Sequence, residues 1–392
     1  MPHDSARPLL SLCMIVKNEA EYLETCLKLA RPHVDEIVVI DTGSTDGTQD
    51  IARRYADVFE EIEWPNSFAA ARNYSLERAS GQYILILDGD EYIADPYGWQ
   101  LIRSVLTERH VATLRLKLRN LLPPQSLVQA DVIYQERIFP NDPMLRYERK
   151  IHNQIVDSIK LYIRKKGGEV IDLPVEIIHL GYAHSEEKTK EKYLPRIPLL
   201  ESEYVEAKNE AMKYYYAFQL GVTFYVLQEY EKALDYFKRI NYYVMDQMNE
   251  WNSFYAQLLA AQTALKLRRI EEALQFCNQL LRYRFKEAIV YYVTGMALLL
   301  NKQLREGICF IVEAFDISKK EREYMRFVIN ERKIINRLVA IFKMIGWCNI
   351  AQKIEHISNE SFEQVGEILR YMQQRMLLSM PDVKREATAS SG

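Results

Sequence analysis

Glu36-Ile37-Val38-Val39-Ile40-Asp41-Thr42-Gly43-Ser44-Thr45-Asp46-Gly47-Thr48 decides the fold of this chain. The apolar run Ile37 to Ile40 has the length of a buried strand, and Gly43 and Gly47 allow a tight backbone turn after it. Thr45 or Asp46 can then cap a helix that starts near Thr48 and runs through Tyr55. Upstream, Leu9 to Val16 reads as another buried strand, which ends in Lys17-Asn18-Glu19 and leads into an amphipathic helix over Glu21 to Ala30. Downstream, Tyr83-Ile84-Leu85-Ile86-Leu87 runs into Asp88-Gly89-Asp90-Glu91. Strand, helix, strand, helix, strand, with polar residues at each strand's C-terminal end, describes an open parallel sheet that binds its ligand along that edge.

Asp88 and Asp90 carry the chemistry of that edge. Two carboxylates two residues apart on extended backbone point to the same side. Together they can hold a divalent cation that neutralises a diphosphate, which points to nucleotide-sugar chemistry. Arg72-Asn73 lies on a helix that follows Trp64-Pro65-Asn66, and its planar donor fork can reach a nucleotide or diphosphate.

The chain resembles the family 2 glycosyltransferases of GT-A fold. The resemblance is carried by Ser11 to Asn18, Glu36 to Thr48, Phe68-Ala69-Ala70-Ala71-Arg72-Asn73 and Leu87-Asp88-Gly89-Asp90-Glu91, four motifs in family order. It implies a Rossmann-like open α/β sheet that binds a nucleoside-diphosphate sugar, a UDP-sugar by expectation. Val16, Asn18 and Glu19 at the end of the first strand, with Asp41 and Thr42, would surround the uracil and ribose. Many relatives have a second Asp where this chain has Thr42, which leaves base recognition open among Asp41, the Thr42 hydroxyl and backbone groups. Asp90 is the expected direct ligand of Mg²⁺ or Mn²⁺, Asp88 a ribose and metal contact, His179 the residue completing the cation site, and Arg72 a diphosphate contact.

The acceptor side is less defined. The segment from Glu136-Arg137-Ile138-Phe139 to His152-Asn153 resembles the region where relatives often have His-Glu, a glutamate suited to a general base. Asn153 cannot be that base, so either the role moves to Glu136, Asp157 or Glu91, or the acceptor is a thiol that ionises readily. His152 is a candidate acceptor contact.

Composition sets outer bounds. The 392 residues, 48% of them hydrophobic, suffice for two or three domains with a sizeable core. With 51 basic and 54 acidic residues the net charge is -3, no electrostatic reason to expect nucleic acid. Five cysteines without a Cys-x-x-Cys pair read as packing residues in a reducing cytoplasm. The apolar runs Leu9 to Val16 and Ile289 to Leu300 are too short to span a bilayer.

From Lys190 onward proline nearly disappears and apolar residues follow helical spacing. Leu220-Gly221, Phe224, Ala233 and Phe237 lie at the spacings of a tetratricopeptide repeat, where small residues let antiparallel helices approach. Weaker copies follow around Ala260-Ala261, Ala264, Ala273 and Cys277, then Gly295, Leu298, Gly307, Ile311 and Ala314. A longer turn is expected over Tyr242 to Asn252, and closing helices near Glu321 to Met344 and Glu360 to Leu378. The expected organisation is therefore a GT-A catalytic domain over residues 1–200, an all-α tetratricopeptide-like domain over 201–380 and a disordered tail over 381–392.

That architecture resembles bacterial peptide and protein glycosyltransferases, including those that modify bacteriocins on sulfur and those that modify flagellin. It implies an inverting, metal-dependent transfer to a Cys, Ser or Thr side chain of a peptide or protein. The alternatives are a lipopolysaccharide or other surface-glycan acceptor, and a helical interaction scaffold beside an inactive catalytic domain. A nucleotidyltransferase would need a glycine-rich loop where this chain has Lys17-Asn18-Glu19-Ala20-Glu21. Ile334 to Trp347 is a candidate surface for a homodimer through the helical domain.

Overall fold

The computed structural model describes residues 7–121, 128–151, 153–181, 186–283, 286–320, 327–329, 331–344, 346–357, 366–368 and 370–371. His152 and the expected tail lie outside the described residues, as does most of the expected last helix. The chain divides into two compact units, residues 1–124 with 130–199 and residues 125–129 with 200–392.

The first unit is built on strands β1 (Leu10–Val16), β2 (Glu36–Asp41), β3 (Val58–Glu61), β4 (Tyr83–Ile86), β5 (Glu91–Tyr92), β6 (Val111–Leu121), β7 (Val128–Pro140) and β8 (Glu169–His179). Their order across the sheet is β3-β2-β1-β4-β7-β6-β8-β5. The first four run parallel, with Val16 opposite Asp41 at the shared C-terminal edge. Beyond β4 the expected all-parallel sheet becomes mixed. β7 runs antiparallel to both β4 and β6, and short β5 runs antiparallel to β8. Pro140 at the end of β7 therefore lies opposite Tyr83 at the start of β4, while β8, parallel to β6, ends at His179 opposite Glu91 of β5.

Helices α1 (Leu23–Ala30), α2 (Thr48–Tyr55), α3 (Phe68–Leu76), α4 (Pro96–Glu108), α5 (Val156–Lys166) and α6 (Glu186–Tyr193) follow the strands, and α7 (Arg196–Val205) runs across the division between the units. Alternation along β1 shows why helices cover both faces. Leu10, Leu12, Met14 and Val16 pack with residues of α1, α2 and α4 on one side, whereas Cys13 packs with Leu76 of α3 and Ile159 and Tyr162 of α5 on the other. The α2 start matches its sequence signal. Gly47 takes a φ of 93°, a left-handed conformation suited to glycine, and Asp46 Oδ1 accepts the Thr48 amide at 3.1 Å.

Apart from a short strand, β9 (Phe327–Ile329), which stands within the segment expected as a closing helix from Glu321, the second unit is helical, with α8 (Glu210–Val226), α9 (Tyr230–Lys238), α10 (Tyr242–Lys266), α11 (Ile270–Leu280), α12 (Ala288–Leu300), α13 (Leu304–Lys320), α14 (Glu331–Met344) and α15 (Cys348–Ile357). The pairs α8–α9, α10–α11 and α12–α13 pack as hairpins at small residues. A Cβ on Gly221 would sit 2.5 Å from Phe237 Cε1, and one on Gly295 would sit 2.6 Å from Ile311 Cγ1. Where the sequence suggests a long turn over Tyr242 to Asn252, the chain is helical with one break. Asn249 is extended (φ -160°, ψ 101°) and its side chain accepts the Asn252 amide at 2.9 Å, restarting the helix.

Burial bears on two further expectations. Within Ile334 to Trp347, Ile334, Ile335, Leu338, Val339, Ile341 and Phe342 are buried inside the helical unit, whereas Met344 is exposed. Of the five free cysteines Cys348 is exposed, not a packing residue. Among the described residues no helix is long and apolar enough to cross a membrane.

Candidate active site

The edge where β1, β2 and β4 end is stitched together by short polar side chains. Asn18 adopts a left-handed φ of 55°, which asparagine tolerates better than most residues. From there its amide donates to Ser44 Oγ at 2.9 Å, and its Oδ1 accepts the Thr45 amide at 2.8 Å. The Glu19 amide donates to Thr48 Oγ1 at 2.8 Å. The Thr42 hydroxyl donates to the Val16 carbonyl at 3.1 Å.

Asp41 is fully buried at this seam. Its Oδ1 accepts the amides of Gly43 and Ser44, both at 2.8 Å, which fixes the side chain. Its Oδ2 is buried with no partner among the described residues. A buried carboxylate oxygen left unpaired is costly, and a ligand donor is what this position lacks.

The acidic pair is held by two arginines. Ser67 caps α3 by accepting the Ala70 amide at 3.2 Å, and the helix so started carries Arg72 toward Asp88. Arg72 Nη2 donates to Asp88 Oδ1 at 2.5 Å, its guanidinium lies 5.6 Å from the Tyr147 ring centre, and its Nη1 is buried without a partner among the described residues. Asn73 holds Tyr147 from both sides, donating to its carbonyl at 3.0 Å and accepting its amide at 2.8 Å.

In the sequence Arg137 is distinguished only as the neighbour of Glu136. The register of β6 on β7 slips at this point, Leu114 facing Ile138 and Arg115 facing Glu136, so Arg137 is the extra residue of a bulge, a device that re-aims a side chain. It forks onto Glu91 at 2.7 and 2.8 Å in nearly complete burial. Glu91 Oε2 also accepts the Asp88 amide at 2.9 Å. Both oxygens of Glu91 are thus engaged in shaping the loop.

Asp90 has different neighbours. Strand β5 places Glu91 opposite His179 of β8, and the Leu180 amide donates to the Asp90 carbonyl at 3.0 Å. His179 Nε2 lies 3.4 Å and Lys192 Nζ 3.2 Å from Asp90 Oδ2, while His179 Nδ1 lies 2.6 Å from Asn120 Oδ1. With Nδ1 donating to Asn120, Nε2 faces the acid, the arrangement that orients metal-binding histidines. Burial opposes ionisation of Asp90, and His179 and Lys192 outweigh it to leave the carboxyl well below the usual range. Burial, then the Asp90 charge, pushes the nearby Glu19 carboxyl up to about 8.

Gly181 completes this corner. A Cβ there would overlap Asp90 Oδ2 and His179 Nε2 and come within 2.9 Å of Lys192 Nζ, so the hollow requires glycine. Asp90 oxygen and His179 nitrogen facing one hollow fit Mg²⁺ or Mn²⁺, ions that take a few protein ligands and complete their shell with phosphate and water. No group of three or more His, Cys, Asp or Glu side chains converges on a metal position among the described residues. Asp88 is instead paired with Arg72.

On the acceptor side, Glu136 is part-exposed, 4.0 Å from Arg115. Asp157 accepts from Gln154 at 3.0 Å at the exposed start of α5. Asn153 Nδ2 is buried without a partner among the described residues. The sequence therefore signals Asp41, Arg72, Asp88, Asp90 and His179, which meet at one edge. It carries no comparable signal for Arg137, Asn120, Tyr147 or Gly181.

A parallel strand edge of this kind is where open α/β sheets bind their ligands, and here it presents buried, partly unpaired carboxylates and arginines. The model of glycosyl transferase family 2 matches residues 11–166. A putative teichuronic acid biosynthesis glycosyltransferase, TuaG of Bacillus subtilis, is 37% identical over 178 residues, covering 43% of this chain and 67% of TuaG. The chain belongs to glycosyl transferase family 2 and is a glycosyltransferase.

A TPR repeat-containing protein of Synechococcus elongatus is 33% identical over 180 residues, 45% of this chain, and the match spans 43% of that protein's length. The SPbeta prophage-derived glycosyltransferase SunS of Bacillus subtilis is 23% identical over 375 residues, covering 94% of this chain and 84% of SunS. Among solved structures, S. aureus TarS 1–349 in complex with UDP-GlcNAc aligns at a TM-score of 0.37 and 13% identity, over 79% of this chain and 92% of that one.

Proposed function

We propose that the protein transfers a sugar from a nucleoside-diphosphate sugar to a side chain of a peptide or protein, with inversion at the anomeric carbon. The observation that carries the donor half is the pair of buried atoms without partners among the described residues, Asp41 Oδ2 and Arg72 Nη1, at one strand edge with Asp88 and Asp90. Asp41 would accept a hydrogen bond from the base or ribose, Thr42 being turned to the Val16 carbonyl. Asp88, held by Arg72, would take a ribose hydroxyl. Arg72 Nη1 would reach the diphosphate, whose charge grows as the bond to the sugar breaks. Asp90 and His179 would hold Mg²⁺ or Mn²⁺, which supplies charge stabilisation to the departing diphosphate when bound.

The acceptor half rests on the helical unit. An alignment with SunS that runs through both units supports one working protein, and stacked helical hairpins of this kind present faces suited to extended peptides. Glu91 is engaged by Arg137, and Asn153 stands where relatives often have glutamate. A cysteine acceptor needs the least help from a base, since its thiol ionises close to neutral pH. A surface-glycan acceptor is the second reading, favoured by the TuaG likeness over the catalytic unit.

Incubation with a panel of nucleotide sugars and Mn²⁺ tests the donor claim through release of nucleoside diphosphate. Adding cysteine- or serine-containing peptides, or a teichuronic-type polysaccharide, separates the acceptors. No release from any donor would remove the enzymatic reading of the site, and stimulation by the polysaccharide alone would remove the peptide.

A further inference from the structure

Asp90 carries a cation demand that two different groups can meet. Its side chain is 3% exposed, and a carboxylate so buried stays ionised only beside positive charge. Arg72 and Arg137, the nearby guanidiniums, are turned to Asp88 and Glu91. Among the described residues, what remains for Asp90 is Lys192, whose ammonium lies 3.2 Å from Oδ2, and His179, 3.4 Å from the same oxygen. The hollow over Gly181 is bounded by these three groups at once.

A divalent ion bound to Asp90 and His179 would lie about 2.1 Å from that oxygen. An ammonium and a divalent cation cannot share Oδ2 at such distances without strong repulsion. Lys192 sits on α6 with a part-exposed, flexible stem, free to point its charge elsewhere. Glu19 and Asp88 stand at the same edge, Glu19 within the field of Lys192, and the donor's diphosphate would add negative charge there.

Building on the proposed function, we propose that Lys192 is a catalytic residue that exchanges partners. It competes with the divalent cation for Asp90 Oδ2, and when donor and cation bind together its ammonium passes to the diphosphate. There it pairs with the oxygen that keeps both electrons of the breaking bond to the sugar's anomeric carbon. Cation and donor therefore bind cooperatively, because each makes room for Lys192 to serve the other.

The test is a titration of the full-length protein with Mn²⁺, following free Mn²⁺ by electron paramagnetic resonance, with and without UDP. Without UDP, Lys192→Met should bind Mn²⁺ roughly tenfold more tightly than the wild type, the equivalent of one modest charge contact. Lys192→Arg, which keeps the competing charge, should resemble the wild type. UDP should tighten Mn²⁺ binding in the wild type far more than in Lys192→Met. In turnover with the best donor, Lys192→Met should lose about 100-fold in kcat, the scale of one transition-state charge contact, and Lys192→Arg should recover part of it. Unchanged Mn²⁺ affinity in Lys192→Met overturns the competition, and unchanged kcat overturns the catalytic role. If the wild type turns over no donor while Lys192→Met still gains Mn²⁺ affinity, the exchange at Asp90 stands and the donor reading falls.

Discussion

The two units of this chain bury opposite kinds of side chain. In the first, Asp41, Arg72, Asp90, Glu91 and Arg137 are all buried, gathered where strands end. In the second, Glu287 is the one fully charged group among the described buried residues, and its interior is otherwise leucine, alanine, aromatic rings and a few hydroxyls and amides. Buried charge is expensive and does little for stability that alkyl packing would not do better. Its concentration in one unit marks the place where the chain gives up stability for chemistry. The helical unit shows what the same chain does when only packing matters.

This contrast makes graded predictions. The largest effect should follow Asp90→Ala, which removes the anchor of the cation corner. Nucleoside diphosphate release should fall about 1,000-fold, the range seen for losing a key electrostatic group, while the thermal melting curve stays close to the wild type. Retention of most turnover would remove Asp90 from the reaction.

Next in size is Glu91→Ala, which leaves Arg137 buried and unpaired. Breaking such a pair from one side costs about 3–5 kcal/mol, measured as a drop in urea midpoint. If stability is unchanged but turnover collapses, Glu91 belongs to the chemistry and not to the loop's support.

In the helical unit, Gly221→Ala pushes a methyl into Phe237 and should cost about 1–3 kcal/mol by overpacking. Circular dichroism should show earlier loss of helix, with donor hydrolysis kept at temperatures where the mutant is folded. A loss of hydrolysis in the still-folded variant would contradict the division of labour drawn here. The smallest effect belongs to the surface pair Lys238 with Glu272, 2.8 Å apart and half exposed at the lysine. Lys238→Ala should change stability by less than about 1 kcal/mol, and a larger loss would mean that the helical unit also depends on charge.

Legibility differed between the two carboxylates of Asp88-Gly89-Asp90. The motif was readable because it is local, an apolar strand running straight into acids. The partners were not. Both acids look alike in the sequence, yet one meets Arg72 and the other His179 and Lys192. The α2 helix is legible to its first and last residue, since Gly47 at the cap position and the Asp46 carboxylate just before it act within one turn. The break in α10 looks like a turn in the sequence, because a single extended asparagine that restarts a helix leaves no trace in hydrophobic spacing.

The amino-acid order alone determined the strands that end near Asp41 and Asp88, the helix after Asp41 and the small residues at which helices pair. Those follow from backbone preferences and periodicity over a few residues, which any short stretch carries with it. Which charges meet was decided only when the chain closed. Arg137 reaches Glu91 across 46 residues and Lys192 reaches Asp90 across 102, and the slipped register that turns Arg137 inward exists only where two strands pair. Coulomb attraction in a dry interior depends on distance and on lost water, and the linear sequence specifies neither.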